Sequence, residues 1–356
     1  MAEQDPRKGR GATLRPDPRY LDTTREDFDD GWNTRDADAP PLRTTVTPER
    51  IASLLNRNDS PDIPFKQSIN PYRGCEHGCV YCYARPAHAY VDLSPGLDFE
   101  SRLFSKPDAA NVLRRELARA SYRCEPVALG ANTDAYQPVE RRLRITRAIL
   151  EVLAECDHPL TIVTKSALVE RDLDLLAPMA AKGLVQVFVS VTTLDRTLAR
   201  LMEPRAAAPQ RRLETLRRLA AVGVPAGVMF APVVPALNDH ELERVLEHAA
   251  QVGACHAGYV MLRLPREVNP LFKDWLATHY PLRYERVMGR IRELRGGAES
   301  DARFGSRLTG EGVWAGLLRQ RFERACRAGG LNRSRHRLVT DLFRPPRTDT
   351  RQLELF

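Results

Sequence analysis

The chain holds 356 residues, 43% of them apolar, with a formal net charge of +8 at pH 7. That is enough for a packed core, in one large domain with appendages or two modest ones. No apolar run reaches the ~18 residues of a membrane span, and the polar, charged stretch from Met1 to Arg15 is unlike a signal peptide. Free thiols fit a reducing compartment, so a cytoplasmic protein with no membrane partner is expected. Almost all the positive charge is arginine. It reflects either codon usage in a GC-rich genome or attraction to phosphate-rich partners.

Residues 1–45 mix Pro, Asp, Arg and Gly with few large apolar groups. The basic Arg7-Lys8-Gly9-Arg10 and the acidic Glu26-Asp27-Phe28-Asp29-Asp30 predict a disordered, solvated N-terminal extension, anchored loosely through Phe28 and Trp32. Thr47-Pro48-Glu49-Arg50 carries a cap, a first-turn proline and an acid, and predicts a short helix. A strand over Phe65 to Tyr72 then runs into Arg73-Gly74-Cys75-Glu76-His77-Gly78-Cys79-Val80-Tyr81-Cys82-Tyr83. Three cysteines at a CxxxCxxC spacing can each ligate one iron of a 4Fe–4S cluster. The fourth iron is then open to a substrate or cofactor. Gly74 and Gly78 let the backbone bend where a Cβ would crowd the cluster. A structural zinc site normally takes four ligands in two pairs, so here it would need a distant Cys or His. Seven cysteines, an odd count, in a long chain argue against a disulfide framework. Three unrelated buried cysteines are the remaining alternative.

The run CxxxCx-aromatic-C after a first strand resembles the signature of the radical SAM superfamily. The resemblance implies S-adenosylmethionine chelated to the open iron, with Cys75, Cys79 and Cys82 as metal ligands and Tyr81 near the adenine. It further implies an electron donor and reductive cleavage to methionine and a 5′-deoxyadenosyl radical that abstracts hydrogen. Such chemistry belongs to the cofactor; the protein supplies positioning.

Past a Pro-, Gly- and Ser-rich segment from Ala84 to Pro107, helix and strand alternate. Helices are predicted near Asp108 to Ala120, Val139 to Cys156, Val169 to Ala181, Thr197, Arg211 to Val222 and Asp239 to Val252. Strands are predicted over Pro126 to Gly130, Leu160 to Thr164, Val185 to Val191, Ala226 to Ala231 and Gly258 to Leu262. Six βα units imply an α/β fold with a mainly parallel sheet, which the resemblance sharpens to a partial, TIM-like (β/α)6 barrel. The expected divisions are the extension over 1–45, a core domain over 46–265, a helical region over 266–330 and a basic linker with a terminal tail over 331–356.

In parallel α/β folds the site lies at the carboxyl ends of the strands. After the second strand come Asn132, Asp134 and Glu140, the candidate catalytic groups at the substrate end. After the third comes Lys165, a candidate carboxylate partner in a lysine-poor chain. The fourth ends at Ser190, followed by Glu203-Pro204-Arg205. Over 65–265 the chain resembles the spore photoproduct lyase-like branch of the superfamily, through Ser68-Ile69-Asn70-Pro71-Tyr72-Arg73-Gly74-Cys75 and Thr133-Asp134-Ala135-Tyr136-Gln137-Pro138-Val139-Glu140. This implies that Lys165 and Ser190 contact the methionine carboxylate and the ribose. Tyr81, Glu203 and Arg205 complete the expected cofactor-binding set. Two departures stand out. The Gly-Gly-Glu run of many radical SAM enzymes is missing after the second strand. Asn132 stands where the lyase has a hydrogen-donating cysteine, so lyase activity itself is not expected. Cys124 sits just before the second strand, and Cys156, Cys255 and Cys326 read as inert.

The terminal Gln352-Leu353-Glu354-Leu355-Phe356 resembles the peptide that bacterial DNA repair and replication proteins insert into the sliding clamp; Gln352, Leu353, Leu355 and Phe356 would be its anchors. An amphipathic end docked on its own domain is the alternative. The basic Asn332-Arg333-Ser334-Arg335-His336-Arg337 could neutralise phosphates. Together these features predict an enzyme that cleaves S-adenosylmethionine and abstracts hydrogen from nucleic acid, a DNA lesion or modified base. The alternatives are a radical SAM enzyme acting on a protein or small molecule, and a non-catalytic iron–sulfur or zinc binding module.

Overall fold

The computed structural model describes residues 9–21, 42–334 and 337–346. In chain order these form β1 (Thr45–Pro48), β2 (Leu55–Arg57), β3 (Gln67–Ile69), β4 (Tyr72–Arg73), α1 (Leu97–Ser101), β5 (Arg102–Ser105) and α2 (Ala109–Leu117). Next come β6 (Val127–Leu129), α3 (Glu140–Leu143), α4 (Ile145–Glu155), β7 (Leu160–Thr164), α5 (Leu173–Ala181), β8 (Val185–Ser190), α6 (Arg196–Met202) and α7 (Pro209–Ala221). The remainder are β9 (Ala226–Val233), α8 (Leu242–Gln251), β10 (His256–Met261), α9 (Val268–His279), α10 (Tyr284–Leu294) and α11 (Gly312–Gly329).

The main sheet has seven strands in the order β2, β3, β6, β7, β8, β9, β10. From β3 to β10 every pairing is parallel; only β2 runs antiparallel, at one edge. This is the expected set of six parallel strands in sequential order. Strands covered on both faces become almost wholly apolar, and β8, Val-Gln-Val-Phe-Val-Ser, is buried at five of its six positions. Helices with one apolar stripe pack outside it; α4 buries Ile145, Ile149, Val152 and Leu153.

Local signals gave way to tertiary pairing in several places. The helix expected at Thr47 is strand β1, which pairs in parallel with β5. Thr47-Pro48-Glu49 is a local cue, and the free edge of β5 outweighs it; Glu49 N–H extends the pairing to Ser105 O at 2.7 Å. The strand expected over Phe65 to Tyr72 is two strands, because Pro71 brings no N–H to a ladder and β4 crosses to pair with β5. The helix expected from Val139 breaks at Arg144, whose φ is +54°.

Inside the segment read as a solvated extension, Ala12, Thr13 and Leu14 are buried. Glycine makes this possible: a Cβ on Gly11 would lie 1.8 Å from Gly78 O. Downstream, Asn332 closes the outer edge of β10, exchanging hydrogen bonds of 3.0 Å with Ala257 N–H and C=O. Residues 337–346 run under the amino ends of the strands, with Val339 N–H on Gly183 O and Arg344 N–H on Cys156 O. Phe28, Trp32 and the anchors Gln352, Leu353, Leu355 and Phe356 lie outside the described residues. Among the described residues no helix is long and apolar enough to cross a membrane.

Candidate active site

The cysteine loop follows the carboxyl end of β3. Gly74 and Gly78 turn it with φ of +77° and +67°. Backbone bonds tie it down: Cys75 N–H to Phe99 O at 2.9 Å, Val80 N–H to Met202 O at 3.1 Å and Cys82 N–H to Cys79 O at 3.2 Å. Cys75 and Cys79 are buried, Cys82 is half-buried, and all three are free thiols. Burial pushes all three thiols up, Cys79 to about 12, where the Glu203 charge adds and Lys165 opposes. Among the described residues no three His, Cys, Asp or Glu side chains converge as a single-ion site. A cluster, which takes one thiolate per iron, does not require such convergence.

Two wholly buried side chains hold the loop from within. The Arg85 guanidinium donates to Cys79 O, Gly78 O, Pro95 O and Gly96 O at 2.9–3.1 Å and pairs with Glu100 at 2.5 Å. Glu100 also accepts the Gly11 and Ala12 N–H groups at 2.9 and 2.8 Å, which is what seats the N-terminal segment. Gln137 spans the loop's start: its Oε1 accepts Glu76 N–H at 2.8 Å and its Nε2 donates to Gly74 O at 3.1 Å.

Behind the loop stands a second buried pair. Glu203 accepts from the Tyr81 hydroxyl, from Arg212 and, at 2.6 Å, from the Thr192 hydroxyl. Arg212 spends its other donors on Ser190 O at 3.0 Å and Ala207 O at 2.6 Å. Burial alone would raise the Glu203 carboxyl, but Arg212 and then Lys165 hold it down to about 2. The Lys165 ammonium lies 5.9 Å from the Tyr81 ring centroid. It makes no hydrogen bond or ion pair among the described residues, while its backbone N–H is fixed by Asp134 Oδ2 at 2.8 Å. Ser190 ends β8 and is buried. Arg205 reaches the cysteine loop, pairing with Glu76 at 3.0 Å and donating its N–H to His77 O at 3.3 Å.

The three candidate catalytic groups separate. Asp134 accepts the Thr164 hydroxyl at 2.7 Å, Tyr136 N–H at 2.9 Å and Lys165 N–H, with His77 Nδ1 3.3 Å away. Burial works against its charge, yet His77 and these donors hold the carboxyl at about 2. Asn132 is exposed, its N–H on Asn70 Oδ1 at 2.8 Å. Glu140 is fully buried and spent elsewhere, on the Tyr72 hydroxyl, on Arg171 at 2.8 Å and on Thr146 N–H at 3.0 Å in the first turn of α4. Thus the loop, Tyr81, Lys165, Ser190, Glu203, Arg205 and Asp134 come together, and Glu140 does not join them. Arg85, Glu100, Gln137, Thr192 and Arg212 were not singled out from sequence. Gln137 and Thr192 had a local signal, their places just past the second and fourth parallel strands.

Residues 69–249 match the Radical SAM superfamily. An uncharacterized protein of Mycobacterium tuberculosis is 41% identical over 245 residues, 68% of this chain and 71% of its own length. An uncharacterized protein of Methanocaldococcus jannaschii is 26% identical over 63% of this chain and 80% of its own. Among solved structures, spore photoproduct lyase complexed with dinucleoside spore photoproduct superposes with a TM-score of 0.54 over 80% of both chains at 15% identity, which shows a shared fold. A family match over half the chain, together with a relative at 41% identity, shows that the protein belongs to the radical SAM superfamily and is an enzyme of that type.

Proposed function

We propose that this enzyme carries a 4Fe–4S cluster on Cys75, Cys79 and Cys82 and uses S-adenosylmethionine to abstract hydrogen from a nucleic acid, a DNA lesion or modified base. The family implies both cofactors. One observation carries the assignment of residues: beside three free thiols at the strand mouth stands an ammonium, Lys165, near enough for its charge to act on Cys79 and Cys82 and with no ion pair among the described residues. Soft thiolates suit iron–sulfur, and an unpaired cation suits a carboxylate. When bound, the pair of cofactors supplies reductive cleavage and a carbon radical. Lys165 then holds the methionine carboxylate, the Ser190 hydroxyl holds the ribose, and Tyr81 lines the adenine side. Glu203 fixes the Tyr81 hydroxyl and faces the Lys165 charge. Arg205 clamps the loop through Glu76, and Asp134 aims Lys165 through its backbone.

The nucleic-acid part rests on the fold shared with spore photoproduct lyase, the arginine excess and the basic stretch near the C-terminus. Asn132 in place of a hydrogen-donating cysteine favours a reaction other than that lyase's. The test is anaerobic reconstitution with iron and sulfide, then dithionite and S-adenosylmethionine, with chromatography for 5′-deoxyadenosine. Wild type should form it, Cys79→Ala should not, and UV-damaged DNA should raise the yield. A loaded cluster that binds S-adenosylmethionine yet never cleaves it, with or without DNA, would sink the reading. Cleavage indifferent to DNA would instead favour a protein or small-molecule substrate.

A further inference from the structure

Beside the cysteine loop, exposed aromatic rings alternate with guanidinium groups around the 263–266 turn that leaves β10. Tyr83, directly after Cys82, is 49% exposed, and the Arg263 guanidinium lies 5.8 Å from its ring centroid. Arg263 has no hydrogen bond or ion pair among the described residues, and its Nε is buried without a partner. On one side it feels the charge of Arg307, which stands 4.7 Å over the ring of Phe304, itself 59% exposed. On the other side, three residues along the turn, Arg266 lies against the hydroxyls of Tyr20 and Tyr90. Those two rings stack at 5.3 Å and 27° while 54% and 63% exposed. Arg19 covers both, at 5.3 and 5.9 Å.

Among the described residues, the carboxylates that form ion pairs with this track stand at its ends. Asp62 pairs with Arg307 at 2.6 Å and Glu267 pairs with Arg19. Arg263 and Arg266, at the centre, have no carboxylate partner among the described residues. Large rings left in water with cations beside them have a specific use. Unpaired bases stack on them, and the cations meet the phosphates between. A duplex offers no such faces, since its bases already stack on one another.

We propose that this track binds a single strand of nucleic acid, with unpaired bases stacked on Tyr83, on Tyr90 with Tyr20, and on Phe304, so that the strand crosses the mouth next to Cys82. This deepens the nucleic-acid reading above and rests on it. The test uses the full chain with its cluster, kept anaerobic. Fluorescence anisotropy would follow a labelled DNA oligonucleotide as a single strand and as the matching duplex. The single strand should bind about tenfold more tightly, and Tyr90→Ala and Phe304→Ala should each weaken it by roughly tenfold. Tyr90→Phe should keep the affinity. Arg266→Gln should flatten the salt dependence of log K by roughly 0.7. Because both rings are largely exposed, the alanine variants should unfold at the wild-type temperature and cleave S-adenosylmethionine as wild type does without nucleic acid.

Equal or tighter binding of the duplex, or alanine variants that bind as wild type, would overturn the track while leaving a nucleic-acid substrate standing. No binding of either form, together with no stimulation of cleavage by DNA, would bring down both.

Discussion

Both ends of the strand array are closed by chain from outside it, and the two closures are built differently. At the mouth, the N-terminal segment is held by buried charge: Arg85, Glu100 and the N–H groups of Gly11 and Ala12. At the floor, residues 337–346 are held by backbone bonds and a ring cluster, Phe343 against Tyr122 and His158 at 5.5 and 5.3 Å. Apolar packing tolerates a shift of a few tenths of an ångström. A guanidinium donating to four named carbonyls does not, because each misplaced donor leaves a buried acceptor unpaired. The mouth carries the three thiols proposed to hold the cluster, and that is where the rigid device sits.

The sharpest way to break this contrast is Arg85→Met. It strands the Glu100 carboxylate at zero exposure and four carbonyls with it. Losing one partner of such a pair costs about 3–5 kcal/mol. Urea unfolding should show that loss; the double variant Arg85→Met with Glu100→Leu should recover part of it. If the single variant is as stable as wild type, the mouth is not built on that pair. Glu203→Gln probes the other buried pair at the mouth. Glutamine can still accept from Tyr81 and Thr192 through its one oxygen, but its NH2 then faces the buried Arg212 guanidinium, so a comparable loss of stability is expected. Its lost charge faces Arg212 and Lys165, and 5′-deoxyadenosine formation should drop roughly ten- to a hundredfold. An unchanged rate would make Glu203 a structural residue only.

The two ends also differ in how far they could be read in advance. The cysteine loop and the strand ends Lys165 and Ser190 are contiguous with strong local patterns, so their neighbourhood follows once six parallel strands are counted. The residues that hold the loop do not announce themselves. Arg85 and Glu100 sit in a stretch that reads as loop, and Arg212 is one arginine among several on α7. Their value lies in contacts 5 to 89 positions away, which no periodicity encodes. Glu140 shows the reverse error. It lies in a site-like loop, yet its carboxylate binds the first turn of α4 and Arg171, because the break at Arg144 leaves N–H groups that need an acceptor. Residues 11–14 were misjudged for a related reason: composition reports what a segment can bury alone, and here Glu100 supplies the anchor.

At the floor the expected effects are smaller. Phe343 is half-buried, so Phe343→Ala should cost about 2 kcal/mol, less than a full core truncation, and should leave cleavage of S-adenosylmethionine unchanged. Loss of activity equal to that of Glu203→Gln would mean the floor governs the site.

The finest distinction is one of pH. Each end buries a histidine whose pKa burial lowers to about 4: His88 at the mouth and His158 at the floor. At His158, Nδ1–H donates to Pro159 O at 2.9 Å, which leaves Nε2 to accept from the Tyr122 hydroxyl at 2.7 Å. The fold is made for the neutral ring. The unfolded chain takes up its proton near pH 6.5 and the folded chain only near 4, so stability is full above 6.5 and is lost as pH falls through that window. Between pH 7 and 5.5 each histidine should remove about 1 kcal/mol. His158→Phe keeps a ring against Phe343 and cannot titrate, so about half of the pH-dependent loss should vanish from the urea midpoint. A pH dependence identical to wild type would place the titrating group elsewhere, with His88 at the mouth next to be replaced.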